Sequence, residues 1–263
     1  MGINIDTKKA MSLYSSKGGS TKFPNWLEKI LNYAQDDPKI TDLRELAYLL
    51  ATGKVESDYS LQRWEADYVC GKSGVKYYDK PCQSAINYYC STTGGKQNYC
   101  KSGELDKRGL PYFGRGLIQL TWKANYLKYG EKIGLGNKLV ENPELVMNPE
   151  NSYLLAVAYM NDRGTFNKVK LGDLTAARRS VNGGTTALSE VNSEYNRWLS
   201  VLENSRTATK KKSSSGLSSS GKKGKGSTVK SNKTLKIIGI AAIAVAVISA
   251  SIAISIYAEK RKK

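Results

Sequence analysis

Glu56 and Glu65 stand nine residues apart, the first at the end of an apolar stretch and the second beyond a polar turn that contains Trp64. That spacing can set two carboxyl groups on opposite walls of a cleft. Hydrolysing a glycosidic bond with inversion needs such a pair, one carboxylic acid to protonate the leaving oxygen and one carboxylate to activate water from the other face. With 23 Asp and Glu in the chain the spacing alone is common, and an exposed, salt-bridging glutamate is the competing reading. Histidine is absent from the whole sequence. Its absence removes Ser-His-Asp and Cys-His nucleophile systems and histidine-ligated zinc sites, because each needs an imidazole as base or ligand. Acid and base work falls to carboxylates, with no metal and no cofactor called for.

The elements that must position these glutamates are mostly helical. From Pro24 the residues Trp26, Ile30, Leu31 and Ala34 share one helical face until Asp36-Asp37-Pro38 breaks it. Asp42 with Glu45 three residues on forms a capping box, and Leu43, Leu46, Ala47, Leu50 and Ala51 supply a stripe leading to Glu56. Phe113 to Thr121 is short and flanked by glycine like a strand entered by a turn, and Trp122 to Gly134 then reads as helix. Asn148-Pro149 opens a helix through Met160; two more follow, from Asp173 to Val181 and from Thr186 to Leu202. Residues 1–22 read as a flexible arm without a sustained apolar run, so no cleavable leader is expected.

Three stretches resemble glycoside hydrolase family 19, the chitinase and phage-endolysin family of the lysozyme-like superfamily. Leu46 to Thr52, followed by Glu56-Ser57 and Leu61-Gln62-Arg63-Trp64-Glu65, looks like its catalytic entry; Tyr112 to Trp122 with Asn125-Tyr126 resembles its glycine motif; Ala176 to Gly184 is similar to its Asn-Gly signature. Together they run in family order over roughly residues 25–203. The resemblance implies a mainly α (α+β) fold, a lysozyme-like helical domain with a small β element, at residues 23–205. It implies Glu56 as general acid, its proton retained through burial, and Glu65 as general base in a wetter setting. It further implies that Thr121 helps Glu65 hold the attacking water, that Gln119, Asn125 and Asn182 contact sugar, and that Arg115 organises the acids. Val55 stands where the family usually has histidine, and residues 66–108 form an insertion unlike its smaller phage members.

That insertion holds all four cysteines, Cys70, Cys82, Cys90 and Cys100. Their clustering favours two disulfides over a structural zinc or free thiols, and three pairings are open. The tail changes character. Residues 206–263 carry fourteen Lys and Arg against the single acid Glu259, so +13 of the formal +18 lies there and the body is only mildly basic. No specific nucleic-acid partner is therefore expected. Residues 206–236 read as a flexible Ser/Gly/Lys linker, residues 237–257 as an uncharged transmembrane helix, and residues 258–263 as a basic tail. Small residues from Ala244 to Ser251 could let two such helices associate. The expected partners are thus peptidoglycan, or alternatively chitin, and a lipid membrane, as in a single-pass protein of a bacteriophage virion or host membrane. A catalytically silent glycan-binding or virion membrane protein is the reading from a different class.

Overall fold

Glu45 to Gly53 are buried without a break, and that run is the middle of a helix ending just past Glu56. The structure is a computed structural model that describes residues 3–61, 105–107 and 109–207. In order, its helices are α1 (Thr7–Ser16), α2 (Pro24–Asp36), α3 (Leu43–Ser57), α4 (Lys123–Lys132), α5 (Lys138–Glu141), a 3-10 turn (Pro143–Met147), α6 (Pro149–Asp162), α7 (Thr165–Lys170), α8 (Leu174–Asn182) and α9 (Leu188–Asn204). The fold is mainly helical. The chain divides into Met1–Lys211 and Lys212–Lys263; residues 208–263, with most of the expected linker and the span at 237–257, lie outside the described residues, whereas Arg206 and Thr207, expected to open the linker, pair with the N-terminal segment. Among the described residues no helix is long and apolar enough to cross a membrane.

Helix α3 begins at the expected capping box. The Asp42 carboxylate accepts from the Arg44 N–H at 2.8 Å, and Glu45 Oε2 accepts from the Asp42 N–H at 3.1 Å. A one-sided stripe was expected, yet Tyr48, Leu49 and Thr52 are buried as well. The reason is that α9 lies along α3 and α7 also packs on it, so the helix is enclosed as a central element rather than an amphipathic wall. Around it gather α1, α2, α6 and α9 in one large core. A smaller cluster, built from Tyr112, Leu120, Tyr126, Tyr129, Leu139, Val146, Leu155 and Ala158, lies under the glycine motif.

Two expectations are corrected. Residues 3–22 of the expected flexible arm 1–22 are ordered into the fold, because α1 forms from an Asp6 cap onto the Lys9 N–H and buries Ala10 and Tyr14, with Ile3 and Ile5 also in the large core. Its apolar residues are few, but each one is inward. Ile5 also pairs antiparallel with Arg206, with the Asp6 N–H on the Ser205 carbonyl at 2.8 Å and the Thr207 N–H on the Asn4 carbonyl at 3.1 Å. The second correction concerns the strand expected at 113–121. Among the described residues β structure is limited to isolated pairs, here Arg115 with Leu120. Gly116 at φ +75° and Gln119 at φ +54° curl the intervening residues into a tight turn, closed by the Gln119 N–H on the Gly116 carbonyl at 3.2 Å.

Candidate active site

The end of α3 brings Glu56 out of the core with its side chain 20% exposed. A buried guanidinium meets it there: Arg178 Nη1 lies 2.7 Å from Glu56 Oε1, and the Arg178 side chain is 2% exposed. Arg178 is itself aimed by its Nε–H, which donates to the Thr186 carbonyl at 2.8 Å. Helix α8 can present an arginine inward because Ala177 beside it is small and buried. Two phenols border the pair. Burial raises Tyr159 and Tyr48 above their ordinary value of 10.0, and the Glu56 charge adds to both, so they are neutral hydroxyls at neutral pH. The Tyr159 hydroxyl donates to the Val181 carbonyl at 3.0 Å, fixing the end of α8 against α6.

The glycine-motif turn docks on the last turns of α3. Ser57 Oγ donates to the Leu117 carbonyl at 2.9 Å, and Gly53 admits the Leu117 side chain, whose Cδ1 would lie 2.7 Å from any added Cβ. The Leu117 N–H in turn donates to Ser152 Oγ on α6 at 2.8 Å. This places the motif residues beside the helix end that bears Glu56. Thr121 Oγ1 donates to the Gln119 carbonyl at 2.8 Å, Gln119 Nε2 donates to the Gly116 carbonyl at 2.8 Å, and Asn125 Nδ2 donates to the Thr121 carbonyl at 2.8 Å. Each is partly buried, so the turn holds its amides and hydroxyl in fixed directions while leaving them within reach of solvent. Asn182 ends α8, four residues beyond Arg178, and is exposed.

Arg115 is buried at the start of the glycine-motif turn. It is 1% exposed and donates to the Phe113 carbonyl at 3.2 Å and the Tyr126 hydroxyl at 2.9 Å, with Glu144 3.5 Å away and the Phe113 ring 3.7 Å below its guanidinium. Among the described residues the arginine on Glu56 is Arg178, inside the Ala176–Gly184 stretch but not singled out from sequence. Its signal was the pairing rule, since a charge on an inward helical position needs an opposite charge, and Glu56 leaves the core with one unmatched. Glu65 and the four cysteines, Cys70, Cys82, Cys90 and Cys100, lie outside the described residues.

Backbone strain gathers around these groups. The described non-glycine residues at positive φ are Asp58, Tyr59, Gln119, Trp122 and Ala187. Asp58 and Tyr59 follow Glu56, Gln119 and Trp122 flank Thr121, and Ala187 follows the carbonyl that aims Arg178. Such conformations cost about 1–3 kcal/mol each and persist where surroundings over-determine them, as functional sites do.

Residues 65–164 match the family model of chitinase class I, Glyco_hydro_19. That stretch is similar to glycoside hydrolase family 19. Glu65, Arg115, Gln119, Thr121 and Asn125 fall within those residues, whereas Glu56, Arg178 and Asn182 fall outside them. An acidic endochitinase of Solanum chilense is 48% identical over 54 residues, 20% of this chain and 20% of the relative. A glycosyl hydrolase family 19 domain-containing protein of Haemophilus influenzae is 31% identical over 129 residues, 49% of this chain and 58% of the relative. The chain therefore spans about a fifth of the plant relative's length and just over half of the bacterial one's. The solved structure of a chitinase C mutant aligns with TM-score 0.49 and 19% identity, covering 79% of this chain and 97% of that one.

Proposed function

We propose that the protein is a glycoside hydrolase of family 19 type that cleaves β-1,4 bonds in an N-acetylated aminosugar polymer, with peptidoglycan as its substrate. The observation that carries this reading is Glu56 fixed by Arg178 beside a turn that presents Gln119, Thr121 and Asn125. In this reading Glu56 is the general acid and Glu65 the general base, Thr121 steadies the attacking water, and the amides of Gln119, Asn125 and Asn182 recognise hydroxyl and N-acetyl groups. Chitin is the second reading, favoured by the chitinase and endochitinase names of its relatives. Peptidoglycan is preferred because the uncharged run at 237–257 would tether the enzyme to a membrane, where a wall-cutting protein acts locally and a chitin degrader gains little. A bacteriophage virion or host membrane suits such a tether.

Replacing Glu56→Gln is expected to lower turnover by about 10² to 10⁴, the share of general acid catalysis, with the fold retained. Digestion of purified peptidoglycan and of chitin oligomers, with mass analysis of the fragments, reads both the loss and the substrate. Wild-type turnover in that variant removes Glu56 from the mechanism, and cleavage of chitin alone replaces the substrate.

A further inference from the structure

The residues just after Glu56 are held from the N-terminal side of the chain. Asp58 and Tyr59 are consecutive left-handed residues at φ 53° and 66°, a combination that side chains bearing a Cβ rarely adopt. Their own helix contributes two bonds, from the Asp58 N–H to the Lys54 carbonyl and from the Tyr59 N–H to the Gly53 carbonyl, both 3.0 Å. The segment after α1 contributes more. Thr21 Oγ1 donates to the Asp58 carbonyl at 3.1 Å, the Lys22 N–H donates to Asp58 Oδ2 at 3.0 Å, and Lys54 Nζ, ion-paired to Asp58, donates to the Ser20 carbonyl at 2.6 Å. From within α1, Tyr14 accepts the Tyr59 hydroxyl at 3.0 Å, while Trp198 Nε1 donates to the same Tyr59 oxygen at 2.8 Å. Tyr14 stacks on Trp198 with ring centroids 4.2 Å apart and donates to Glu194 at 3.1 Å, so its hydroxyl is anchored in turn. The chain can fold back over the Tyr14 ring because Gly19 has no side chain to collide with it.

These bonds bracket Glu56. Lys54 lies two residues before it, Asp58 two after and Tyr59 three after, and partners from residues 14–22 reach every one of them. We propose that the N-terminal segment 14–22 is a positioning element for Glu56, a clamp that keeps the strained end of α3 in the geometry the acid needs. The proposal rests on the reading of Glu56 as the acid. In this reading none of these residues contacts substrate, and the clamp lies outside residues 65–164, the stretch that matches the family model. Its physical basis is that a left-handed pair relaxes once its outside partners go, and a small displacement of a reacting group is costly to rate even when binding is untouched.

The test uses the full chain on peptidoglycan and chitin oligomers, comparing the double variant Tyr14→Phe with Thr21→Val, the single Thr21→Val, Thr21→Ser and Glu56→Gln. The double variant is expected to lose about tenfold to a hundredfold in kcat with KM within about twofold, and Asp58 and Tyr59 amide hydrogens should exchange faster. Thr21→Ser, which retains the hydroxyl, should keep the unmodified kcat. If the double variant does not fold by circular dichroism, Thr21→Val alone carries the same expectation at smaller size. A kcat unchanged by these variants while Glu56→Gln is inactive overturns the clamp and leaves the site reading intact. Turnover retained in Glu56→Gln overturns the site reading itself.

Discussion

The helix that carries Glu56 and the turn that faces it are made rigid by different means. Helix α3 is enclosed by apolar side chains of the large core, and its specificity of position comes from packing. The turn at 115–120 rests on the smaller, tyrosine-rich cluster and is fixed by directed bonds, from Ser57 and Ser152 to its backbone and from buried Arg115 to Tyr126 and the Phe113 carbonyl. A close-packed core answers a truncated side chain with lost stability, whereas a hydrogen-bonded turn around a left-handed glycine loses its geometry when one contact is displaced. The helix that bears Glu56 should therefore lose stability first when mutated, and the turn proposed to meet the sugar should lose function first.

Leu50→Ala is the larger blow to the fold. Leu50 is 1% exposed in the middle of α3, and its truncation is expected to cost about 2–5 kcal/mol in urea unfolding, while turnover per folded molecule stays near normal. Turnover falling further than the folded fraction would show that α3 packing and catalysis are coupled more tightly than this contrast allows. Gly116→Ala probes the other region. Gly116 has φ +75°, and an added Cβ would lie 2.5 Å from Ser152 Oγ, the acceptor that holds the Leu117 N–H. A loss of about 1–3 kcal/mol is expected, with activity falling out of proportion to stability. A variant as active as the unmodified enzyme would mean the turn does not organise the site.

The smallest expected effect is alkaline and local to α1. Burial pushes the Tyr14 hydroxyl from its ordinary value of 10.0 up to about 12. Unfolded Tyr14 ionises first, so its contribution is intact below pH 10 and is lost as pH rises from 10 toward 12. The loss is at most about 1.4 kcal/mol over each pH unit. Thermal unfolding across that range should fall less steeply in Tyr14→Phe, and equal slopes would place the phenol in a looser setting than its bonds to Tyr59 and Glu194 describe.

How much of this was legible in sequence depended on whether the signal was periodic. The capping box before α3, Asn148 before α6, and Asp173 with Gly183 around α8 are local signals, and each helix begins or ends where they direct. Helix α1 escaped because Ala10 and Tyr14 are its only buried residues, too few to make a stripe among lysines and serines. The glycine motif read as a strand because it is short and flanked by glycine, but φ at Gly116 and Gln119 is a tertiary property with no periodic trace. Glu56, Gln119, Thr121 and Asn125 were named through resemblance, and the turn that holds Leu117 docks on the last turns of α3 through Ser57 and Gly53. Arg178 was missed because one of two adjacent arginines in an Ala-rich helix looks like solvent-facing charge until the helix is docked.

The pairing of Ile5 with Arg206 makes the fold a ring in topological terms, since the backbone enters at Asn4 and departs at Thr207 through one shared bridge. A chain rejoined there and reopened at the Leu171–Gly172 turn, where Leu171 is 85% exposed, is expected to fold as a circular permutant with α3, Arg178 and the docked turn in their places.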